Sequence, residues 1–144
     1  MKKQLLVVDD EAEIRRMLER HFRVLGYAVV TASQGAEALE ILAQRRVDVV
    51  ISDIMMPVMD GVSLLREIRR QYPMIRVIMI TGQVTLENAL ACMRNQADTC
   101  IFKPLTELAQ LEQAVEHAFQ GLERWNQIFR ELQGMSAAGE GHVS

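Results

Sequence analysis

The segment "LLVVDDEAEI", Leu5 to Ile14, places an acidic cluster directly after a run of aliphatic side chains. Leu5 to Val8 are apolar at consecutive rather than alternate positions, which is typical of a strand buried on both faces of a parallel sheet. Asp9, Asp10 and Glu11 follow at the point where this predicted strand ends. Because neighbouring carboxylates repel one another, the sequence predicts that a positively charged group is held at this strand end.

Five short apolar runs of this kind occur along the chain, at residues 4–8, 27–32, 47–52, 76–81 and 99–102. The segments between them carry apolar side chains at three- and four-residue spacing, which is typical of amphipathic helices. Five strands that alternate with five helices predict an α/β fold, a doubly wound parallel sheet covered by helices on both faces.

The composition excludes several classes of protein. The 144 residues are 49% hydrophobic and 24% charged, which is typical of one globular domain with an appendage. Cys92 and Cys100 fit neither a metal site nor a disulfide framework, which favours the cytoplasm. The sequence has no apolar run long enough to span a bilayer and no signal-peptide pattern at its start, so we expect no membrane association.

The distribution of charge argues against a nucleic-acid-binding surface. Up to Pro104 the chain has 14 basic and 13 acidic residues, and from Leu105 onward it has 2 basic and 6 acidic residues. Binding to a phosphate backbone requires clustered lysine and arginine side chains. We therefore expect no direct contact of this chain with nucleic acid.

The carboxyl ends of the predicted strands carry a set of polar residues. In chain order these residues are Asp9 with Asp10, Asp53, Thr81 with Gly82, and Lys103 with Pro104. In an open parallel sheet these strand ends meet at one edge, where ligand sites form. Carboxylate oxygens are ligands that Mg²⁺ prefers, and a lysine ammonium suits a phosphoryl oxygen. Since a carboxylate can accept a phosphoryl group, Asp53 is the best candidate nucleophile.

These residues together resemble the response-regulator receiver domain of two-component signalling, a CheY-like family. The stretch "DIMMPVMDG", Asp53 to Gly61, is similar to the phosphoacceptor loop of that family, and the resemblance covers roughly residues 3–120. It implies a flavodoxin-like, five-stranded sheet in the order 2-1-3-4-5, with a receiver domain at residues 1–120. It also implies a signalling phosphoacceptor that catalyses only its own phosphorylation and dephosphorylation, with a sensor histidine kinase or phosphotransfer protein as its partner.

The resemblance implies a phosphoacceptor and a metal site. Asp53 is the expected phosphoacceptor and a ligand of Mg²⁺. Asp10 is expected to bind Mg²⁺ directly, Asp9 to help through a water molecule, and the backbone carbonyl of Met55 to complete the protein ligands. The positive charges of Mg²⁺ and Lys103 are expected to lower the pKa of Asp53.

The resemblance also implies how phosphorylation switches the domain. Lys103 is expected to pair with the Asp53 carboxylate and then with the phosphoryl oxygens, while Thr81 closes onto the phosphoryl group and carries the change to the α4-β5-α5 face. Pro104 is expected to hold Lys103 in place through a cis peptide bond. Gly82, which follows Thr81, is expected to be structural.

Two positions near the site depart from the family pattern or vary within it. Cys100 occupies the switch position at which the family commonly has an aromatic residue. It is interpreted either as a modified, redox-responsive switch or as a small buried hydrophobe, and the second interpretation is favoured. Met55 and Gln83 lie where the family varies its dephosphorylation rate. Met55 has no side-chain group that could orient water, which favours a longer-lived phosphoryl group.

The fifth predicted helix is longer than a domain of this size needs. Its apolar residues alternate at spacings of three and four from Leu108 to Leu132. We expect residues 121–133 to extend beyond the sheet with an exposed apolar stripe, and residues 134–144 to form a disordered tail. The stripe consists of Leu122, Trp125, Phe129 and Leu132. It predicts a homodimer or a helix that leads to an output domain, with folding back onto the receiver as the alternative.

Two other classes of α/β protein fit the sequence less well than the receiver. A phosphatase with an aspartyl-phosphate intermediate would carry its nucleophile after the first strand in a DxD pattern, whereas Asp53 follows the third strand. A flavodoxin-type protein would need a phosphate-binding loop where Asp9 to Glu11 would repel a phosphate group. A stand-alone phosphorelay or adaptor receiver and a fragment of a larger regulator are both compatible with the sequence.

Overall fold

The computed structural model describes residues 2–82 and 85–143, with side chains described up to Met135. Five parallel strands form one sheet in the order β2-β1-β3-β4-β5, so the predicted fold and strand order are confirmed. The strands are β1 (Gln4–Val8), β2 (Ala28–Ala32), β3 (Val49–Asp53), β4 (Arg76–Thr81) and β5 (Thr99–Phe102).

Five helices cover the two faces of the sheet. They are α1 (Ala12–Val24), α2 (Gly35–Gln44), α3 (Gly61–Gln71), α4 (Leu86–Arg94) and α5 (Ala109–Val143). On one face, Phe22 of α1 and Val115 of α5 pack with strand residues in one hydrophobic cluster. On the other, Leu42 of α2, Leu65 of α3 and Cys92 of α4 form a second cluster. Because both faces are covered, the strands are apolar at consecutive positions, as the sequence predicts.

The strand register aligns the carboxyl ends of the four adjacent strands β1, β3, β4 and β5. Val8 pairs with Ser52, Asp53 pairs with Ile80, and Thr81 pairs with Phe102. The residues that follow these strands therefore lie along one edge of the sheet. None of the described helices is both long and apolar enough to cross a bilayer.

The fifth helix differs from its sequence-based prediction in two respects. Leu122 is only 7% exposed and belongs to the core beside α1 and the sheet, so its assignment to an exposed stripe is wrong. The backbone is helical to Val143, whereas residues 134–144 were expected to be disordered.

Gly61 begins α3 where the chain turns back against the end of β3. Its backbone N–H donates to the carbonyl oxygen of Ile54 at 2.7 Å. A Cβ atom placed on Gly61 would lie 2.0 Å from the carbonyl oxygen of Asp53 and 2.8 Å from the Cα of Ile54. These are backbone atoms, which cannot move aside as the end of a flexible side chain can. Only glycine therefore fits at this position without moving Asp53.

We expect Gly61→Ala to destabilise the protein by about 2–3 kcal/mol, because the new methyl group overlaps the backbone that carries Asp53. Urea unfolding followed by circular dichroism measures this change. The matched control is Gly82→Ala, since a Cβ there would meet its nearest neighbour, the Lys103 side chain, at 3.9 Å. Equal stabilities of the two variants would contradict the close approach at Gly61.

Candidate functional site

The positively charged group that the acidic strand end requires is the ammonium of Lys103. Its Nζ lies 3.1 Å from Oδ2 of Asp9, 3.1 Å from Oε1 of Glu11 and 3.2 Å from Oδ2 of Asp53. Lys103 directly follows β5, and its backbone N–H donates to the carbonyl oxygen of Thr81 at 2.7 Å. The lysine is thereby fixed at both its backbone and its side chain, and it joins carboxylates from two different strand ends.

Asp9 is fully buried, and the backbone around it fixes its side chain. Its Oδ1 accepts a hydrogen bond from the Glu11 N–H at 2.8 Å, and its own N–H donates to the carbonyl oxygen of Ala32 at 3.1 Å. Its Oδ2 lies 3.1 Å from the Lys103 ammonium, which is the charge partner of this buried carboxylate.

Asp53 is the last residue of β3 and is 3% exposed. Its Oδ1 accepts a hydrogen bond from the Met55 N–H at 3.3 Å, and its Oδ2 accepts one from Lys103. The Met55 side chain is about half exposed. Because it is a thioether, it has no hydrogen-bond donor that could orient a water molecule beside Asp53.

Four carboxylates converge at this edge of the sheet. One oxygen from each of Asp9, Asp10, Glu11 and Asp53 lies within 4.8 Å of the others, and Asp10 and Glu11 are exposed to solvent. Oxygen ligands of this kind suit a hard divalent cation such as Mg²⁺. The four converging carboxylates therefore fit the metal that the sequence predicts.

Burial dominates the electrostatics of the site. Burial raises the pKa of Asp53, and the Asp9 carboxylate raises it further. Burial likewise raises the pKa of Asp9. Lys103 lowers the pKa of Asp53, as predicted for its share of the positive charge, but one ammonium does not outweigh the desolvation of the carboxylate. Burial opposes protonation of Lys103, but the surrounding carboxylates raise its pKa to about 12.

The remaining predicted residues lie around this cluster. Thr81 ends β4 and is 1% exposed, and the peptide bond between Lys103 and Pro104 is cis. An added Cβ at Gly82 would make only an ordinary contact with Lys103, so the structure shows no steric need for glycine there. Gln83 lies outside the described residues.

Cys100 lies on β5 beside Cys92 of α4, and both pack against the core on that face of the sheet. Burial raises the pKa of both thiols, and the neighbouring Cys100 contributes to a pKa of about 11 at Cys92. Both thiols are therefore neutral near pH 7, and a neutral thiol is a poor nucleophile. This supports the interpretation of Cys100 as a small buried hydrophobe.

Sequence reasoning assigned no individual role to two residues of the site. Glu11 contributes the third carboxylate on Lys103, from 92 positions away in the chain. Gly61 allows the close approach to the Asp53 carbonyl. The acidic run Asp9 to Glu11 was a usable signal for the first residue. The aspartate-glycine pair at Asp60 and Gly61 signalled a tight turn but not the contact it permits.

Comparison with known proteins identifies the family. The family model described as "Response regulator receiver domain" matches residues 5–116. The transcriptional regulator NtrC of Escherichia coli is 40% identical over 114 residues, which are 77% of this chain and 24% of NtrC. The probable transcriptional regulator ycf27 of Guillardia theta is 42% identical over 105 residues, which are 73% of this chain and 41% of that protein. The chain thus spans less than half of these curated relatives.

Solved structures show the same architecture. A CheY-like response regulator receiver domain from Methanospirillum hungatei matches with a TM-score of 0.81 at 29% identity, covering 86% of this chain and 98% of that one. The response regulator TrrA of Thermotoga maritima, solved in complex with Mg²⁺ and BeF, matches with a TM-score of 0.73 at 32% identity, covering 81% of this chain and 98% of that one. The chain therefore belongs to the response regulator receiver domain family of two-component signalling.

Proposed function

We propose that Asp53 accepts a phosphoryl group from the phosphohistidine of a sensor histidine kinase or a phosphotransfer protein. The observation that carries this proposal is the position of Asp53, a buried carboxylate at a strand end whose Oδ2 lies 3.2 Å from the Lys103 ammonium. Membership of the receiver family and the match to NtrC support it. The free thiols of Cys92 and Cys100 suit a reducing compartment, which supports a cytoplasmic location.

The transfer forms an acyl phosphate on Asp53. One carboxylate oxygen of Asp53 attacks the phosphorus atom, the phosphorus–nitrogen bond of the phosphohistidine breaks, and the imidazole nitrogen keeps the electron pair and takes up a proton. Catalysis of phosphoryl transfer rests on positioning and on neutralisation of the negative charge spread over the phosphoryl oxygens. Lys103 supplies one positive charge at this point and is already held beside the attacking carboxylate.

We propose that Asp10, Asp53 and the backbone carbonyl of Met55 hold Mg²⁺, with Asp9 acting through water. A divalent cation supplies positive charge that offsets the four converging carboxylates and the incoming phosphoryl oxygens. The carboxylate cluster, in which Asp10 and Glu11 are exposed to solvent, supports this assignment. The raised pKa of Asp53 gives the cation a second effect, since any positive charge placed there favours the ionised, nucleophilic form.

The signal is proposed to leave the site through Thr81 and Lys103. Thr81 ends β4, and Lys103 directly follows the adjacent strand β5. The Lys103 N–H donates a hydrogen bond to the Thr81 carbonyl oxygen. On the neighbouring α4-β5-α5 face, Met93 is 67% exposed and Phe102 is 47% exposed, which gives a partner apolar surface to bind. A change at this face would control an output domain or a separate protein partner.

The proposed chemistry predicts a single phosphoryl adduct on Asp53. Incubation with Mg²⁺ and a small acyl-phosphate donor should add one phosphoryl group to the intact mass of the protein. The Asp53→Asn variant should show no adduct, because an amide oxygen is a much weaker nucleophile. The Asp48→Asn variant is the matched control, since Asp48 precedes β3 and lies at the opposite edge of the sheet. Intact-protein mass spectrometry makes the measurement.

Two results would contradict the phosphoacceptor role. One is an adduct that persists in Asp53→Asn. The other is the absence of an adduct when the protein also consumes the donor no faster than a protein-free solution does. Measuring donor consumption distinguishes an inert site from a site that accepts the phosphoryl group and loses it quickly.

The raised pKa of Asp53 predicts that its ionised form lowers the free energy of unfolding, by an amount that depends on pH. The folded protein binds this proton more tightly than the unfolded chain, in which the pKa is near its ordinary value of 3.8. Ionisation of this carboxyl therefore lowers the free energy of unfolding as pH rises from 3.8 through the folded pKa, and the full effect is present above that pKa. Asp53→Asn should raise Tm by a few degrees in metal-free buffer at about pH 7, and by less at about pH 4.

The same comparison tests the metal site. Addition of Mg²⁺ should raise the Tm of the wild-type protein more than that of Asp53→Asn, because a cation that binds only the folded state stabilises it by RT ln(1 + [Mg²⁺]/Kd), which is larger for the tighter site. Differential scanning calorimetry with and without chelator measures both effects. An equal response of the two proteins to Mg²⁺ would argue against Asp53 as a metal ligand.

A further inference from the structure

We propose that residues 123–135 of α5, the α5 extension, bind a second copy of this chain. Among the helix residues whose side chains are described, Gly121 and Leu122 are the last buried ones, and every residue of the α5 extension is exposed. An isolated helix of this length is marginally stable in water, because most helical stability in proteins comes from packing of an apolar face. Trp125 and Phe129 line a groove with Met74 of the receiver, but each stays more than 40% exposed, so the receiver covers only part of this apolar face.

The α5 extension presents one continuous apolar face. Trp125 is 48% exposed, Phe129 is 41% exposed and Leu132 is 53% exposed. The rings of Trp125 and Phe129 lie against each other with centroids 5.9 Å apart. Ile128 and Met135 widen the face on one side and are also exposed. Scattered single apolar residues are ordinary on a surface, but five on one face indicate an interface.

The spacing of this face favours another helix as the occupant. From Leu122 the apolar residues continue at positions a and d of a heptad, with Trp125 and Leu132 at d and Phe129 at a. Positions a and d form one narrow stripe along a helix, and a second helix laid along that stripe can contact all of its residues.

The charges beside this face favour a second copy over a different helix. The flanking e and g positions hold Asn126, Gln133, Ile128 and Met135, which carry no charge. Selective pairing with a different chain normally uses complementary charges at these positions. The charged residues of the α5 extension lie at positions b and c, away from the contact; they are Glu123, Arg124, Arg130 and Glu131. Two copies can therefore approach without like-charge repulsion at the seam.

The area of the face is compatible with a reversible dimer. With about half of each side chain open, the five residues offer on the order of 500 Å² of apolar surface. A stable interface buries about 800 Å² from each partner, so the uncharged polar residues beside the face have to contribute as well. We therefore expect association that depends on protein concentration rather than a permanent dimer.

The test is the oligomeric state of the whole chain, unphosphorylated and without Mg²⁺, so that its outcome is independent of phosphotransfer. Sedimentation equilibrium at up to about 0.1 mM chain should show a mass approaching twice the 16.4 kDa of one chain. Trp125 is the only tryptophan in the sequence, so its fluorescence should shift to shorter wavelength as the concentration rises.

Leu132→Glu should raise the dimer dissociation constant at least tenfold and abolish the fluorescence shift, because it places a charge on the face of both copies. The matched control is Gln127→Glu, which adds the same charge on the opposite side of the helix and should dimerise like the wild type. Leu132 lies outside the folded core, and an unchanged Tm of a dilute sample would show that the receiver remains folded.

Two results would overturn the proposal. A wild-type chain that stays monomeric over the whole concentration range would mean that a different partner covers this face. A Leu132→Glu variant that dimerises as well as Gln127→Glu would place the contact between copies elsewhere on the protein.

Discussion

The contact of one ammonium with three carboxylates is the interaction on which this site depends. Lys103 lies 3.1–3.2 Å from Asp9, Glu11 and Asp53, and a fourth carboxylate, Asp10, lies beside them. The ammonium offsets only part of this negative charge, and burial adds the cost of desolvation to Asp9 and Asp53. The cluster therefore carries a net negative charge. This charge is the physical reason why a divalent cation would bind there and why an added phosphoryl group would change the interactions of Lys103.

The parallel sheet makes this arrangement possible because it brings strand ends together that are far apart in sequence. Hydrophobic clusters cover both faces of the sheet and hold the strands in register. At the edge, backbone hydrogen bonds then position the charged residues, as in the contacts from Lys103 to Thr81 and from Asp9 to Ala32. Gly61 completes the frame, since the chain passes so close to the Asp53 carbonyl that a side chain does not fit. The site therefore uses little flexible structure to hold its charges.

The site and the α5 extension lie at opposite edges of the sheet. Asp53 is at the carboxyl end of β3, whereas Gly121 of α5 lies beside Arg76, the first residue of β4. A change at Asp53 can reach the α5 extension only through the packed layers between these edges. The α5 helix spans that distance as one element, with Val115 buried against the sheet and Trp125 exposed beyond it. A dimer formed there would keep two receivers together without covering either phosphoacceptor.

The sequence by itself determined the fold class and most of the site. Apolar runs and helical spacings are local patterns, and the strand-end positions of Asp9, Asp53, Thr81 and Lys103 follow from them together with the geometry of parallel sheets. Only the tertiary structure decided which charged side chains contact one another and how much desolvation their burial entails. It placed Glu11 on Lys103, made burial the main influence on the pKa of Asp53, and buried Leu122. Burial and contacts between distant residues depend on the packing of the whole chain, which local periodicity does not encode.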